Sequence, residues 1–363
     1  ILENVNTSIF VIVPGKIPVK VSSPVICPYS MGGDKLGSRM TYGNYLQLDK
    51  LLTLQSGPDG HDPLPSNHEM HFIVVHQAFE LWFKQINREL EDTLQLMNND
   101  EIDETNIPVI VRHLERCSEI FRLLASQWKV METLSPQDFL AFRDRLGTSS
   151  GFESWQLRTL EMLLGLKSEQ RIGGMDPMEH NKKLHSEGKL SDEVMANMER
   201  IATLPSLYDV LLRWLERTPV NGVSGDKEVM TEFVESHISS MIEHGETVIS
   251  HMVKIGHGNE ETIRPRITAG IDAAREFLLP SGEVSFSRAG LLFIESYREL
   301  PLLSWPRRLI DTVVDLEESM LLFRSHHARM VERMIGRRMG TGGSSGVDYL
   351  DTVSYTHLRA HET

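Results

Sequence analysis

The sequence predicts an all-α protein whose helices pack into a bundle, and three observations lead to this prediction. Apolar residues recur at spacings of three and four in several long segments, as on one face of a helix. Alternating apolar and polar residues, which would indicate strands, are nearly absent. No repeat of fixed period runs through the 363 residues. With 40% hydrophobic residues, the chain can supply a core for one large or two ordinary domains.

The composition argues against two classes of partner. The formal net charge is −14 and basic residues form no long run, so neither nucleic acid nor an anionic membrane is expected as the main partner. No apolar run reaches the length of a membrane span. Cys27 and Cys117 cannot form a disulfide framework and no CxxC motif is present, which predicts a reducing compartment and therefore a cytoplasmic protein.

The two ends of the chain differ from the middle. Residues 1–39 are expected to be a leader, because 1–30 lack helical periodicity and a signal-peptide pattern, and Met31 opens a polar stretch before the first helix. Residues 40–352 are expected to be one all-helical domain. Residues 353–363 have no helical periodicity and are expected to be a non-native tail that resembles translated adapter sequence.

Helix signals can be assigned in chain order. A short amphipathic helix is predicted over 41–54, followed by a loop rich in Gly, Pro and Asp. Asn67 is the predicted N-cap of a long helix from about His68 to Met97. Ser135 with Pro136 indicates another helix start. Further helical segments are predicted at 108–132, up to Leu164, and at 191–216, 227–255, 259–279, 287–299 and from about 306, with a surface loop or hairpin at 168–190.

Two of these helices carry a histidine within an otherwise apolar stripe. The first stripe, spaced 4, 3, 4, 3 and 4, consists of Phe72, His76, Phe79, Phe83, Ile86 and Leu90. The second, spaced 3, 4, 3, 4, 3 and 4, consists of Val313, Leu316, Met320, Phe323, His327, Met330 and Met334. A buried imidazole needs a partner for each nitrogen, either a metal or an ordinary carbonyl or hydroxyl. Two such histidines suggest one buried site with polar groups on opposite walls.

A glycine-rich loop at 340–346 follows the second histidine. It lacks the GKS/T ending of a P-loop and follows a helix, so it does not indicate a phosphate site. The glycines suit either a hinge or a lid that closes over a ligand.

Five blocks of the chain resemble, in this order, the tryptophan 2,3-dioxygenase family: YGNYLQLDKLL, HEMHFIVVHQAFELWFKQINREL, FRDRLGTSSGFES, SFSRAGLLFIESYRELP and HHARMVERMIGRRMGTGGSSG. The resemblance runs from about Met40 to Leu350. It implies a helical-bundle haem-dioxygenase fold and a homotetramer. It also implies haem b (iron protoporphyrin IX) and the cleavage of the indole C2–C3 bond of L-tryptophan by O₂, giving N-formylkynurenine.

The resemblance also assigns roles to the two histidines and their neighbour. His327 matches the axial ligand of the haem iron, and its other ring nitrogen would then need a hydrogen-bond partner. His76 matches a catalytic distal histidine that hydrogen-bonds the indole N–H, where we expect orientation and tuning rather than an obligatory base. Phe72 matches a residue that packs on the indole; by itself it would be ordinary core.

Further substrate-binding residues follow from the same match. Arg143 matches the residue that binds the substrate carboxylate, which suits a guanidinium. Ser150 matches a residue near the haem, although a loop serine commonly forms turns. Thr341, in the glycine-rich loop, matches a residue that contacts the substrate ammonium and carboxylate. Tyr42 and Tyr45 match residues donated to a neighbouring subunit's site, and simple packing at a helix start is their alternative.

Departures from the family pattern keep other functions open. Phe139 stands where the family often has Tyr, and the residues after Gly346 depart from the usual GYxYLR. A related haem enzyme acting on another indole or a substituted tryptophan is one alternative. A haem-binding sensor without turnover is another, and His76 and Arg143 weigh against it. A non-haem carboxylate bundle would need paired Glu and Glu-x-x-His ligands, and no convincing set is found.

Overall fold

The computed structural model describes residues 40–56, 64–147, 149–166 and 176–336. Within these ranges it has no β-strand, only an isolated bridge between Val220 and Val223, so the all-α prediction is confirmed. The helices are α1 (Tyr42–Leu46), α2 (Leu48–Leu51), α3 (Asn67–Met97), α4 (Ile107–Met131), α5 (Pro136–Phe142), α6 (Trp155–Leu164), α7 (Pro177–Ser186), α8 (Asp192–Ala202), α9 (Leu207–Glu216), α10 (Lys227–Lys254), α11 (Glu260–Leu278), α12 (Phe286–Ser296) and α13 (Ser304–Ile335). The predicted leader 1–39, the tail 353–363 and the loop 340–346 lie outside the described residues.

The chain divides into two compact units, the first ending at Leu54 and the second starting at Gln55. In the first unit the single helix predicted over 41–54 is two short helices, α1 and α2. Gln47 separates them because its backbone takes the left-handed conformation, with φ of 51°. Neither short helix contains a buried residue.

In the second unit, α3, α4 and α13 form the main core. α13 packs along α4, and α4 packs along α3. The six apolar members of the predicted stripe on α13 are all buried, as are Phe79, Phe83, Ile86 and Leu90 of the stripe on α3. Helical spacing therefore identified the inward face of both long helices.

The start of α3 differs from the prediction by one residue. Ser66, not Asn67, is the N-cap, because its backbone is extended and its hydroxyl accepts a hydrogen bond from the N–H of Glu69 at 3.1 Å. The predicted start of α5 is confirmed: Ser135 caps the helix and Pro136 occupies its first turn.

Two other segments also differ from the predictions. The polar stretch 168–190 contains helix α7, whose N-cap is Asp176, rather than only a loop or hairpin. The segment 191–216 is interrupted near Pro205, and Ser206 starts α9 with a capping box. The other predicted helices are found within one or two residues of their expected ends, except that the helix predicted at 287–299 ends three residues early, at Ser296.

A smaller core lies between α10, α11 and α12. α12 also packs on α9, where Gly290 comes so close that a Cβ atom would lie 2.2 Å from the carbonyl oxygen of Leu215. Only glycine permits this approach. In the part of the chain that the structure describes, no helix has the length and apolar character needed to cross a membrane.

Candidate functional site

His76 lies on the inner face of α3 with a defined tautomer. Its Nδ1 is 2.8 Å from the carbonyl oxygen of Phe72, one turn earlier. A carbonyl oxygen can only accept, so Nδ1 carries the proton and donates it. The Phe72 ring also lies against the imidazole, with centroids 4.0 Å apart. In the neutral ring, the lone pair is therefore on Nε2.

The protein keeps His76 neutral at physiological pH. Burial lowers the pKa of the imidazole, and the hydrogen bond to Phe72 opposes this only in part. A neutral ring with a proton on Nδ1 is an acceptor at Nε2. This is the state needed to receive a hydrogen bond from an N–H group of a ligand.

His327 stands near the end of α13 and stacks on Trp128 of α4. The two ring centroids are 4.5 Å apart and the planes differ by 7°. Trp128 also presents its ring to His76, at 6.5 Å and 72°. The rings of both inward histidines therefore lie near the indole side chain of Trp128. Trp128 is buried, 4% exposed, and its Nε1 has no hydrogen-bond partner.

Burial lowers the pKa of His327 to about 4, and the charge that His76 carries when it is protonated, together with the charge of Arg158, adds smaller contributions in the same direction. The imidazole is therefore unprotonated over the physiological pH range. An unprotonated nitrogen lone pair is the requirement for binding a metal ion.

Arg143 follows directly on α5, which packs against α3. Phe139 and Phe142 of α5 lie 5.8 and 5.6 Å from the ring of Phe72. Arg143 is partly buried and opens a 3₁₀ turn that ends at Leu146. Through α5, the turn that begins with Arg143 is therefore packed against the helix that carries Phe72 and His76.

Ser150 acts locally as a turn-forming residue. Its hydroxyl accepts a hydrogen bond at 3.3 Å from the N–H of Phe152, which starts the 3₁₀ turn Gly151–Glu153. The Phe152 ring lies beneath the guanidinium of Arg158, 5.0 Å from its central carbon. Ser150 is thus connected to Arg158 through one aromatic residue.

Arg158 is a buried cation that the sequence analysis overlooked. Its Nη1 pairs with Glu161 at 2.9 Å, and Glu161 also accepts from Arg324 at 3.1 Å. No described residue gives the buried Nε of Arg158 a hydrogen-bond partner. An unsatisfied donor on a buried cation suits an anionic group.

Three predicted site residues remain, namely Tyr42, Tyr45 and Thr341. Tyr42 and Tyr45, on α1, are 76% and 75% exposed. Thr341 lies outside the described residues. Trp128 was also overlooked, because it sits on a regular apolar stripe of α4 and its ring contacts cannot be derived from spacing.

The metal-binding side chains of the site indicate which kind of metal-containing group it could hold. Among residues 40–56, 64–147, 149–166 and 176–336 there is no group of three or more His, Cys, Asp or Glu side chains that could hold a metal ion. A haem supplies four nitrogen ligands of its own and needs one imidazole from the protein. The neutral His327, the surrounding aromatic rings and the unsatisfied Arg158 donor fit such a group.

The fold and site together define a class: an all-helical protein with two neutral histidines in one aromatic cluster and an arginine-bearing turn beside it. The tryptophan 2,3-dioxygenase family profile matches residues 31–358. The chain belongs to the tryptophan 2,3-dioxygenase family, and the resemblance, the fold class and the enzyme class predicted from the sequence are confirmed.

Curated relatives agree with this assignment. The chain is 40% identical to the tryptophan 2,3-dioxygenase of Sorangium cellulosum, over 89% of this chain and 81% of the relative. It is 40% identical to tryptophan 2,3-dioxygenase 2 of Ralstonia nicotianae, over 87% and 89%. The enzyme of Anopheles gambiae is 37% identical, over 88% and 82%.

Proposed function

We propose that the protein is a haem-dependent dioxygenase that uses O₂ to cleave the indole C2–C3 bond of L-tryptophan, giving N-formylkynurenine. Family membership supports the reaction. The observation that carries the assignment of roles is the pair of neutral histidines whose rings both lie near the ring of Trp128. One has its lone pair available for a metal, and the other has its lone pair available for a substrate N–H.

His327 would hold the iron of haem b. Its pKa of about 4 keeps the nitrogen lone pair free for iron at every physiological pH. Arg158, with its buried unsatisfied Nε, would face the carboxylate side chains of the porphyrin. When bound, the haem supplies the iron at which O₂ is activated.

His76 orients the substrate. Its Nε2 accepts the indole N–H, because Nδ1 is already committed to the carbonyl of Phe72. Indole is a very weak acid, so we assign His76 orientation and tuning rather than proton removal. A substrate with the same shape but no N–H would leave this buried acceptor unpaired, which costs about 1–3 kcal/mol.

The aromatic wall and Arg143 complete the substrate site. Phe72, with Phe139 and Phe142 packed on it, offers an apolar surface for the indole and keeps water out. Arg143 binds the carboxylate through a bidentate pair. His76 and Phe72 thus hold the indole of the substrate while Arg143 holds its carboxylate. Because the substrate is fixed at both ends, its reacting bond is positioned.

Other parts of the proposal concern residues at the edge of the site. Thr341 contacts the ammonium and carboxylate of the substrate, and Ser150 lies close to the haem. Tyr42 and Tyr45 complete the site of a neighbouring subunit in a homotetramer, which accords with their exposure on a unit that buries none of its helical residues. Cys117 is a buried free thiol whose pKa is raised by burial, in keeping with a reducing cytoplasm.

A related enzyme acting on a substituted indole is the second candidate, and Phe139 favours it. A tyrosine here would add a hydroxyl, whereas the phenyl ring only packs against Phe72. A substrate bearing an apolar ring substituent would gain from this change. Comparing turnover of L-tryptophan with turnover of methyl-substituted tryptophans discriminates between the two candidates.

The test is to reconstitute the protein with haem, reduce it, and follow absorption of the formylkynurenine product with L-tryptophan under O₂. We expect product in stoichiometry with O₂ consumed. His327→Ala should lose the Soret band of the ligated haem. Ligand binding to the haem without product would instead support a sensor, and an unchanged Soret band in His327→Ala would refute the ligand assignment.

A further inference from the structure

We propose that the buried ion pair between Glu69 and Arg145 is a positioning device that fixes the distance between Arg143 and His76. Neither Glu69 nor Arg145 is assigned any contact with substrate. The inference rests on the proposed function in one respect, namely that Arg143 binds the carboxylate while His76 receives the indole N–H.

Glu69 lies on the same face of α3 as the site. It precedes Phe72 by three residues and His76 by seven, and both intervals return to one side of a helix. Glu69 is 3% exposed and lies in the first turn, where its N–H is held by the Ser66 hydroxyl at 3.1 Å. The cap fixes the backbone of Glu69, so its carboxylate extends from a rigid helical turn that also carries the two site residues.

Arg145 lies two residues after Arg143 in the same 3₁₀ turn. Its Nη1 is 3.1 Å from Oε2 of Glu69, and its side chain is 28% exposed. Among the described residues, neither Oε2 of Glu69 nor the other nitrogen of Arg145, Nη2, has a hydrogen-bond partner, so the pair is held by charge attraction and not by a hydrogen bond. Arg145 therefore joins the turn that carries Arg143 to the helix that carries His76.

Two other contacts between these elements resist displacement less strongly. The rings of Phe139 and Phe142 pack on Phe72 through apolar contact alone. The pair of His68 with Asp138, at 3.6 Å, is solvent-exposed, and exposed pairs contribute little. In the Glu69–Arg145 pair the carboxylate is 3% exposed and the arginine 28% exposed, so solvent screens these charges less and separating them costs more.

A stabilising role alone does not account for such a pair. Desolvation makes a buried ion pair a weak source of stability, and apolar replacement is often neutral. Positioning accounts for it, because a displacement of about 1 Å between groups that grip one substrate can cost about a hundredfold in rate. Glu69 and Arg145 are thus positioning residues that act through Arg143.

The test compares two probes, only one of which carries the amino-acid group. L-Tryptophan has the indole N–H, the carboxylate and the ammonium, whereas 3-methylindole has only the indole N–H. Dissociation constants for both are measured on the haem-loaded protein from the spectral change on binding. The readout is the preference, that is, the constant for 3-methylindole divided by that for L-tryptophan. General loosening of the fold weakens both probes and leaves the preference unchanged.

We expect Glu69→Gln to lower the preference about tenfold, because the turn that carries Arg143 loses its register. Arg145→Gln should do the same, and it provides the test if Glu69→Gln does not fold. The double variant should lower the preference no further than either single variant, since both remove one interaction. Glu89→Gln is the matched control: Glu89 is also buried on α3 and paired with an arginine, Arg116, and should leave the preference unchanged.

Arg143→Leu separates the two proposals. If it lowers the preference while Glu69→Gln and Arg145→Gln do not, the positioning role is wrong and the carboxylate role of Arg143 stands. If Arg143→Leu leaves the preference unchanged, the proposed role of Arg143 fails and the positioning inference fails with it. Equal losses in Glu69→Gln and Glu89→Gln would also overturn the inference, because any broken buried pair would then suffice.

Discussion

Haem binding should be almost independent of pH between 7.5 and 5.5, because the ligand His327 is already unprotonated. An ordinary histidine, with a pKa of about 6.5, would be about 90% protonated at pH 5.5 and would lose about tenfold in affinity for iron. With the pKa of His327 lowered to about 4, only about 3% is protonated at pH 5.5, so the change in affinity should be hardly measurable.

The assay is titration of the haem-free protein with hemin at both pH values, followed at the Soret band, with circular dichroism as a check that the chain is folded. His327→Gly rescued with added imidazole provides an internal control. Free imidazole titrates in solution near the ordinary histidine value, so the rescued haem complex should weaken steeply at pH 5.5. A tenfold loss in the unmodified protein would refute the argument that burial holds His327 neutral.

Three further predictions concern stability and packing. First, His327 takes up a proton near pH 6.5 in the unfolded chain but only near pH 4 in the folded chain. Its contribution to the unfolding free energy of the haem-free protein is therefore complete above pH 6.5 and is lost as the pH falls towards 4, by about 3 kcal/mol at most. Urea denaturation should show this loss, and His327→Leu should lack it. Second, Gly290→Ala should destabilise the protein by about 1–3 kcal/mol or more, because the new Cβ would clash with the Leu215 carbonyl oxygen. The control Gly270→Ala, which has open space around it on α11, should be neutral or stabilising. Thermal denaturation compares the two variants, and equal melting temperatures would contradict the packing of α12 on α9. Third, Trp128→Phe should weaken haem retention about two- to tenfold, because a smaller ring stacks less well on His327; transfer of haem to an excess of scavenger measures this, and unchanged transfer would show that the stack does not hold the imidazole.

Helix positions and their inward faces could be predicted from local chemistry. The stripes of α3 and α13 follow from apolar residues at helical spacing, and all their apolar members are buried except Phe72, which is partly buried. Ser135 with Pro136 identified the start of α5 for the same kind of reason. The errors are also local: Asn67 was predicted as the cap of α3, whereas Ser66, the residue before it, has the extended backbone and makes the capping hydrogen bond. The polar composition of α7 concealed a helix that Asp176 starts.

Contacts between distant segments could not be predicted in this way. Glu161 of α6 pairs with Arg158 of the same helix and also with Arg324 of α13, 163 positions later, and all three residues are buried. The pair of Glu69 with Arg145 joins residues 76 positions apart in sequence, and no periodicity relates them. Family resemblance supplied roles for residues that match the family's motifs, but it did not indicate that either pair would form.

The sequence by itself determined the helices, the two histidines that point inward and the family to which the chain belongs, because spacing and motifs are properties of short segments. Only the tertiary structure decided that the rings of both histidines lie near Trp128, that burial brings the pKa of His327 to about 4, and that Nδ1 of His76 donates to the carbonyl of Phe72. The physical reason is that charge state and ring contacts depend on desolvation and on neighbours from other helices, which exist only after the chain has packed.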